Sequence, residues 1–326
     1  FISVPSDTDL WMYISSNGGL AAGRIDAEGS LFPYETVDKL HDSHHHTGPV
    51  TLLRVERKHG PSVLWRPFSE RLNGEDVVAR NLYKNTVGNR LVFEEINNDL
   101  GLCFRYQWSA CDEFGLVRTA TLENSGTDDV TITLLDGLRN VLPFGAPLAL
   151  HQQLSSLVDA YKRTDIDSRT RLGIFSLTAA IIDRAEAAEV LRANTVWCHG
   201  LEDFAVVLAA EAVDEFREGG TPAAEDVLTG RRGNFLVTSS FALPCETKQT
   251  WHIVADAARS HVDIAALRLR LSENKGIAAD LERGLEKATE NLRRNVGSAD
   301  GIQLTGDEPT AAHHFANVLF NNMRGG

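Results

Sequence analysis

Two neighbouring runs decide the fold of this 326-residue chain: Leu91-Val92-Phe93-Glu94-Glu95-Ile96 and Leu102-Cys103-Phe104-Arg105-Tyr106-Gln107-Trp108. In the second run, a large apolar side chain recurs at every second position, which places all of these side chains on one face of a β-strand. The polar cluster Asn97-Asn98-Asp99 between the runs is typical of a turn. Strands joined by a short turn, with no helix between them, predict antiparallel pairing.

The same pattern extends from these two strands in both directions. Towards the C-terminus, residues 117–123 and 130–134 alternate in the same way around a polar turn. Towards the N-terminus, residues 50–55 and 62–68 flank Lys58-His59-Gly60-Pro61, and this spacing predicts a hairpin. Leu10 to Ile14 is a further apolar strand. We expect later strands at residues 172–182, 188–196, 204–210, 235–243 and 250–255.

Helical spacing appears at three places. Leu148 to Tyr161 predicts one helix inserted between strands, because its apolar residues recur every three or four positions. After Ser260, residues 264–271 predict a helix, and residues 277–296 predict a longer helix with one narrow apolar stripe. Pro309 lies where the first turn of another helix tolerates proline. The chain is therefore predicted to be mainly β, with helices at its C-terminal end.

Charge and composition exclude several partners. The net charge is -13, which repels the phosphates of nucleic acids and anionic membrane surfaces. No apolar run approaches the roughly 20 residues that span a bilayer. The four cysteines form no CxxC pair or zinc-finger spacing, so we expect free thiols in a reducing compartment, the cytoplasm.

The densest polar cluster is His41-Asp42-Ser43-His44-His45-His46. Three readings are open: a plain polar loop, which we favour, a loop that contacts a sugar or a partner, and a transition-metal site. On a strand, adjacent side chains alternate faces, so a strand could not bring all of the imidazoles to one metal ion. We expect no metal and no cofactor.

The sequence offers no convincing catalytic set. The carboxylates Glu94 and Glu95 are adjacent and would face opposite sides of a strand, so they do not form an acid/base pair. The tryptophans are mostly expected in the core, but Trp11 and Trp65 lie close to turns, where an aromatic ring could stack on a sugar.

Three stretches, in this order, resemble glycoside hydrolase family 94, the family of the cellobiose and chitobiose phosphorylases. Asp9 to Gly19 resembles the tryptophan-containing strand and Ser-Asn-Gly-Gly turn that open those proteins. Phe114 to Ser125 resembles their strand-turn-strand element that ends in a Leu-x-Asn-x-Ser-like turn, although here Ser125 follows Asn124 directly. Thr250 to Ser260 resembles the last strand of their sandwich. The resemblance covers about the first 270 residues as an order of elements, but His44-His45-His46 and the 145–171 insertion depart from the family.

The resemblance implies a fold and an organisation. Residues 1–260 would form an antiparallel supersandwich like that of galactose mutarotase. Residues 261–308 would be a helical linker, and residues 309–326 the first helix of an α/α toroid that continues beyond this chain. In that family the toroid carries the general acid and the phosphate site. The resemblance therefore implies a non-catalytic N-terminal module that supports its own C-terminal catalytic domain and borders its sugar site.

Several functional expectations follow from this resemblance. The parent enzyme would be a phosphorylase or hydrolase of an oligo- or disaccharide, with inorganic phosphate as co-substrate if it is a phosphorylase, and a homodimer partner could complete its site. The alternatives are a free-standing mutarotase-like epimerase, which needs a histidine and a carboxylate on one open sheet face, and a carbohydrate-binding module. The residues expected to border a sugar are Trp11, Asn17, Arg24, His44, His45 and Trp65.

Overall fold

Two antiparallel sheets make up most of the molecule in the computed structural model, which describes residues 2–69, 78–182, 190–273, 276–300 and 305–323. The strands, in chain order, are β1 Ile2–Ser3, β2 Leu10–Ile14, β3 Leu20–Arg24, β4 Gly48–Arg57, β5 Val63–Trp65, β6 Val78–Lys84, β7 Leu91–Asn97, β8 Leu102–Cys111, β9 Gly115–Asn124, β10 Val130–Val141, β11 Lys162–Ile166, β12 Gly173–Leu177, β13 Arg192–His199, β14 Phe204–Val207, β15 Val227–Thr229, β16 Gly233–Leu243 and β17 Lys248–Ser260. The helices are α1 Val37–Ser43, α2 Leu148–Gln153, α3 Ser155–Tyr161, α4 Ala212–Arg217, α5 His261–Glu273, α6 Ile277–Asp300 and α7 Glu308–Met323.

The larger sheet has nine strands in the order β15-β11-β12-β13-β17-β9-β8-β7-β6. The smaller sheet has five strands in the order β14-β16-β10-β4-β5, and β1, β2 and β3 form a separate three-stranded sheet. Every described pairing between strands is antiparallel, which confirms the prediction made from the alternating runs. The mainly β prediction is therefore correct.

The core lies between the two large sheets. From the nine-stranded sheet, the alternating side chains of β8 point inwards, and Phe104 and Trp108 are fully buried. From the five-stranded sheet, Leu53 and Leu134, which are paired across β4 and β10, face them. Burying a side chain of this size contributes roughly 1.5–3 kcal/mol, so the inward-facing side chains of the alternating strands contribute strongly to the stability of the sandwich.

The C-terminal helices pack on the outer face of the nine-stranded sheet. The apolar stripe of α6 contacts outward side chains such as Val117 and Trp197, and α7 packs on the end of α6 through Phe315. Pro309 occupies the first turn of α7, as the sequence predicts. None of the helices within the described ranges is both long and apolar enough to cross a bilayer.

Several local predictions were wrong. Residues 148–161 form two helices, α2 and α3, because the backbone of Leu154 leaves the helical region at φ -133° and Ser155 starts a new helix. Strand β12 ends at Leu177, and β13 begins at Arg192; the predicted strand start at residues 188–189 lies outside the described residues. Helix α4, which buries Phe216, was not predicted.

The four cysteines are unpaired, as expected. Cys103, Cys111 and Cys198 are buried, whereas Cys245 is exposed in the turn between β16 and β17. Burial raises the pKa of Cys103 and of Cys111 to about 11, and it also raises the pKa of Cys198.

Candidate functional site

A cleft of about 570 Å³ opens where the short edge strand of the five-stranded sheet ends. Strand β4 has ten residues, but β5 pairs with only three of them, Leu53 to Val55. The Gly48–Leu52 edge is therefore left without a strand partner among the described residues and forms one wall. We call this space the arginine cleft, because four arginines line it: Arg66, Arg118, Arg139 and Arg217.

Three of the residues expected to border a sugar, Asn17, His44 and His45, meet at the arginine cleft. The Asn17 side-chain nitrogen lies 2.9 Å from His44 Nδ1 and donates to the His41 carbonyl over 2.9 Å. The Asn17 side-chain oxygen accepts hydrogen bonds from the Ser15 hydroxyl and from a backbone N–H of the same turn. The Asn-Gly turn and the end of α1 are thereby fixed against each other.

The histidine cluster is not a simple loop. His41 lies in the last turn of α1, and His44 follows directly as its C-cap. The His44 and His45 rings lie with their centroids 3.8 Å apart. Among the residues that the structure describes, no group of three or more His, Cys, Asp or Glu side chains is arranged to hold a metal ion.

Arg139, near the end of β10, holds the histidine segment, residues 41–49, in place. Its Nη1 donates to the His45 carbonyl over 2.5 Å, and its Nη2 donates to the carbonyls of His44 and Pro49 over 2.5 and 3.2 Å. These acceptors are neutral, and no described carboxylate pairs with Arg139. Burial, and then the nearby charge of Arg217, lower the pKa of Arg139 to about 10.

A buried polar network forms the floor of the cleft. Arg118 of β9 and Asp136 of β10 are both fully buried and bridge the two sheets. Asp136 also accepts hydrogen bonds from Thr51 Oγ1 over 2.6 Å and from Trp251 Nε1 over 2.6 Å. The Arg118 guanidinium lies 4.6 Å from the centre of the Tyr106 ring, which also lines the cleft.

The opposite wall is a strained segment after β5. Phe68 has a φ of 63°, a left-handed conformation that bulky side chains rarely adopt. The buried carboxylate of Glu95 holds it there, since Oε2 accepts from the Phe68 N–H over 2.7 Å and Oε1 accepts from Trp65 Nε1 over 2.8 Å. The Phe68 ring packs edge-on against Tyr106, with 5.3 Å between the ring centroids.

The other three predicted residues lie away from the arginine cleft lining. Trp65 is only 5% exposed and packs in the core, because its cross-strand partner Leu53 faces inwards. Trp11 is half-buried and donates from Nε1 to the Asp26 carbonyl over 3.2 Å. Arg24 is held by carboxylates, with Nε 2.7 Å from Asp256 and Nη1 2.5 Å from Asp9.

A second cleft, of about 510 Å³, brings together residues of the histidine cluster and of the insertion at residues 145–171. His46 lines it from the histidine segment, and His151 and Lys162 line it from the insertion. Burial, and then the charge of Lys162, lower the pKa of His151 to about 4. Lys162 pairs with Asp159 over 2.8 Å, so the second cleft carries charges of both signs.

Sequence reasoning missed the arginines of the first cleft. Arg66, Arg139 and Arg217 lie far apart in the chain, and no short motif contains them. The only local signal was the unusual density of histidines at residues 41–46. Convergence of this kind depends on the sheet topology, which a single sequence does not specify.

No protein-family model matches this chain, and no curated protein sequence matches it. Structural similarity is found with carbohydrate-active enzymes, at low sequence identity. A bacterial glucoamylase complexed with acarbose matches 93% of this chain at 11% identity and a TM-score of 0.44. A polysaccharide lyase matches 78% of this chain at 10% identity and a TM-score of 0.44. A GH36 α-galactosidase from Geobacillus stearothermophilus in complex with raffinose matches 79% of this chain at 11% identity and a TM-score of 0.30. This chain spans 40%, 33% and 40% of those three chains, respectively.

Proposed function

We propose that this chain is a supporting module of a carbohydrate-active enzyme, a glycoside phosphorylase or hydrolase, and that the arginine cleft borders the sugar site. The observation that carries the proposal is that Asn17, His44 and His45 meet in one open cleft beside the rings of Phe68 and Tyr106. Sugar sites combine hydrogen-bonding side chains with aromatic surfaces, because a sugar ring has polar edges and apolar faces.

The organisation proposed for the whole protein follows the resemblance to glycoside hydrolase family 94. Residues 1–260 would be the supersandwich, 261–308 the linker and 309–326 the start of the catalytic toroid. The reacting groups would then come from the C-terminal domain, with inorganic phosphate as co-substrate if the reaction is phosphorolysis. The three buried thiols agree with a cytoplasmic location for this protein.

The epimerase alternative requires a histidine and a carboxylate that reach one anomeric centre. The outer face of the nine-stranded sheet does carry His252 and Glu123. However, His252 pairs with Thr119, and Glu123 lies four residues further along β9, which is about 13 Å. Arg105 also pairs with Glu123 over 2.7 Å. This spacing disfavours epimerase chemistry between these two residues.

Calorimetric titration of the protein with cellobiose and chitobiose tests the proposal. We expect saturable binding, weakened by Asn17→Ala and by His45→Ala, whereas His59→Ala in the exposed β4–β5 turn leaves it unchanged. We also expect no phosphorolysis or hydrolysis by this chain alone. Turnover by the isolated chain, or binding that is indifferent to both cleft variants, would contradict the proposal.

A further inference from the structure

We infer that the arginine cleft takes a saccharide that carries an anionic group, a carboxylate, sulfate or phosphate ester, and that Arg139 and Arg217 are the counter-charges for it. The inference rests on the proposed function, because it names the class of sugar that the cleft would accept. The inference starts from the positive charge of Arg139, which no described carboxylate neutralises.

Arg139 has no described counter-ion. Its two terminal nitrogens donate to three backbone carbonyls, which satisfy hydrogen bonds but supply no negative charge. Its Nε is buried and has no hydrogen-bond partner among the described residues. A partly buried cation without a counter-ion is unfavourable, and a bound anion would remove that cost.

Asp136, the carboxylate that pairs with Arg118 beneath the cleft, cannot serve as this counter-ion. Both oxygens of Asp136 are already occupied, because Oδ1 and Oδ2 accept from Arg118 Nη1 over 2.9 and 2.7 Å. Thr51 and Trp251 take up the remaining acceptor sites of the same carboxylate. Asp136 therefore balances Arg118, and within the described ranges no carboxylate pairs with Arg139.

Arg217 adds a second positive charge at the mouth of the cleft. It lies at the end of α4, exposed to solvent, and its charge contributes to the lowered pKa of Arg139. Among the described residues it forms one ion pair, an exposed contact with Asp214 over 2.8 Å, three residues earlier on the helix. Exposed pairs of this kind contribute little, so Arg217 can turn towards an anion at low cost.

None of the described residues that line the cleft is acidic, although the whole chain has a net charge of -13. Positive charge gathered in a concave site of an otherwise acidic protein attracts anions locally. Planar guanidinium groups also match the oxygens of carboxylates, sulfates and phosphates in geometry. The cleft is therefore better suited to an acidic sugar than to a neutral one.

The test compares glucuronate, glucose 6-sulfate and glucose 6-phosphate with glucose and with inorganic phosphate, by calorimetric titration of the protein. We expect at least one sugar anion to bind about tenfold more tightly than glucose, the preference expected from one charge-assisted hydrogen bond. Arg217→Gln should remove about tenfold of that affinity. Arg231→Gln, which removes another exposed arginine that pairs with Glu211 outside the cleft, should not.

Each outcome decides between the two proposals. Equal binding of glucose and the three sugar anions overturns the inference but leaves the proposed function standing. Inorganic phosphate that binds as tightly as the sugar anions, with loss in Arg217→Gln, supports the anion site and contradicts the proposed sugar site. If nothing binds, both are contradicted. Arg139→Lys keeps a positive charge, so it should retain part of the preference for sugar anions.

Discussion

Arg118 Nη1 lies 2.7 Å from Asp136 Oδ2, and this contact joins the nine-stranded sheet to the five-stranded sheet in the middle of an otherwise apolar core. Both side chains are completely buried. Arg118 also lines the arginine cleft, so the ion pair that joins the two sheets is continuous with the candidate site.

Asp136→Asn should therefore destabilise the fold strongly. The substitution leaves the Arg118 charge buried without its partner, which costs about 3–5 kcal/mol in the free energy of unfolding. Urea titration measures this loss. Asp214→Asn, which breaks the exposed pair with Arg217, is the matched control and should cost less than about 1 kcal/mol. A similar small loss for Asp136→Asn would contradict the bridging role.

Arg139→Gln should loosen the histidine segment more than it unfolds the protein. The variant loses the donors that hold the carbonyls of His44, His45 and Pro49. We expect faster amide hydrogen exchange in residues 41–49 and a loss of about 1–3 kcal/mol in unfolding free energy. Arg163→Gln, at an exposed pair with Asp165, provides the comparison and should leave exchange in residues 41–49 unchanged.

Trp65→Ala should behave as a core substitution. Its ring is buried and its Nε1 donates to Glu95, so the variant should lose about 3–5 kcal/mol in unfolding free energy. Trp11→Ala should cost less, because the Trp11 ring is only half-buried. Denaturant titration of both variants measures the two losses in unfolding free energy and shows which is larger. The reverse order would mean that Trp11, not Trp65, carries the larger packing contribution.

Stability should fall in mild acid, in part through His252. Burial, and then the charge of His199, lower the pKa of His252 to about 4 from the ordinary value of 6.5. The unfolded chain then takes up a proton more readily than the folded one, so the contribution of His252 is complete above about pH 6.5 and is lost as the pH falls towards 4.

His252→Gln should accordingly reduce the drop in unfolding free energy between pH 7 and pH 4. Part of the drop should remain, because burial lowers the pKa of His151 to about 4 as well. The exposed His59, in the variant His59→Gln, serves as the control and should retain the full drop. An identical pH dependence in His252→Gln and the unaltered protein would rule out this contribution.

The central strands and the long helix could be predicted because their burial has a regular period. In β8 every second side chain enters the core, and in α6 one narrow stripe does, so the sequence pattern carries the structure directly. The edge strand β6 was missed because most of its side chains are exposed and show no such pattern. Helix α4 was missed because it is short, with three buried residues among polar ones.

The candidate site was only partly predictable. Asn17 and the two histidines, which line one cleft, could be proposed from the sequence because turn residues and clustered imidazoles are visible locally. Trp65 was expected near a sugar because it lies close to a turn. Proximity to a turn does not specify which face of the sheet a side chain occupies, and the pairing of Trp65 with Leu53 places it on the inner face. Arg24 was expected near a sugar, but the carboxylates that hold it come from residues up to 232 positions away.

The unequal exposure of the four thiols offers a reporter that requires no mutation. A maleimide added to the folded protein should label Cys245 alone, because the other three sulfurs are shielded from the reagent. The fraction of molecules with more than one label, read by mass spectrometry over time, would then report how often the two-sheet body opens. Brief openings that expose Cys103 or Cys198 would appear as doubly labelled protein long before unfolding is visible by spectroscopy.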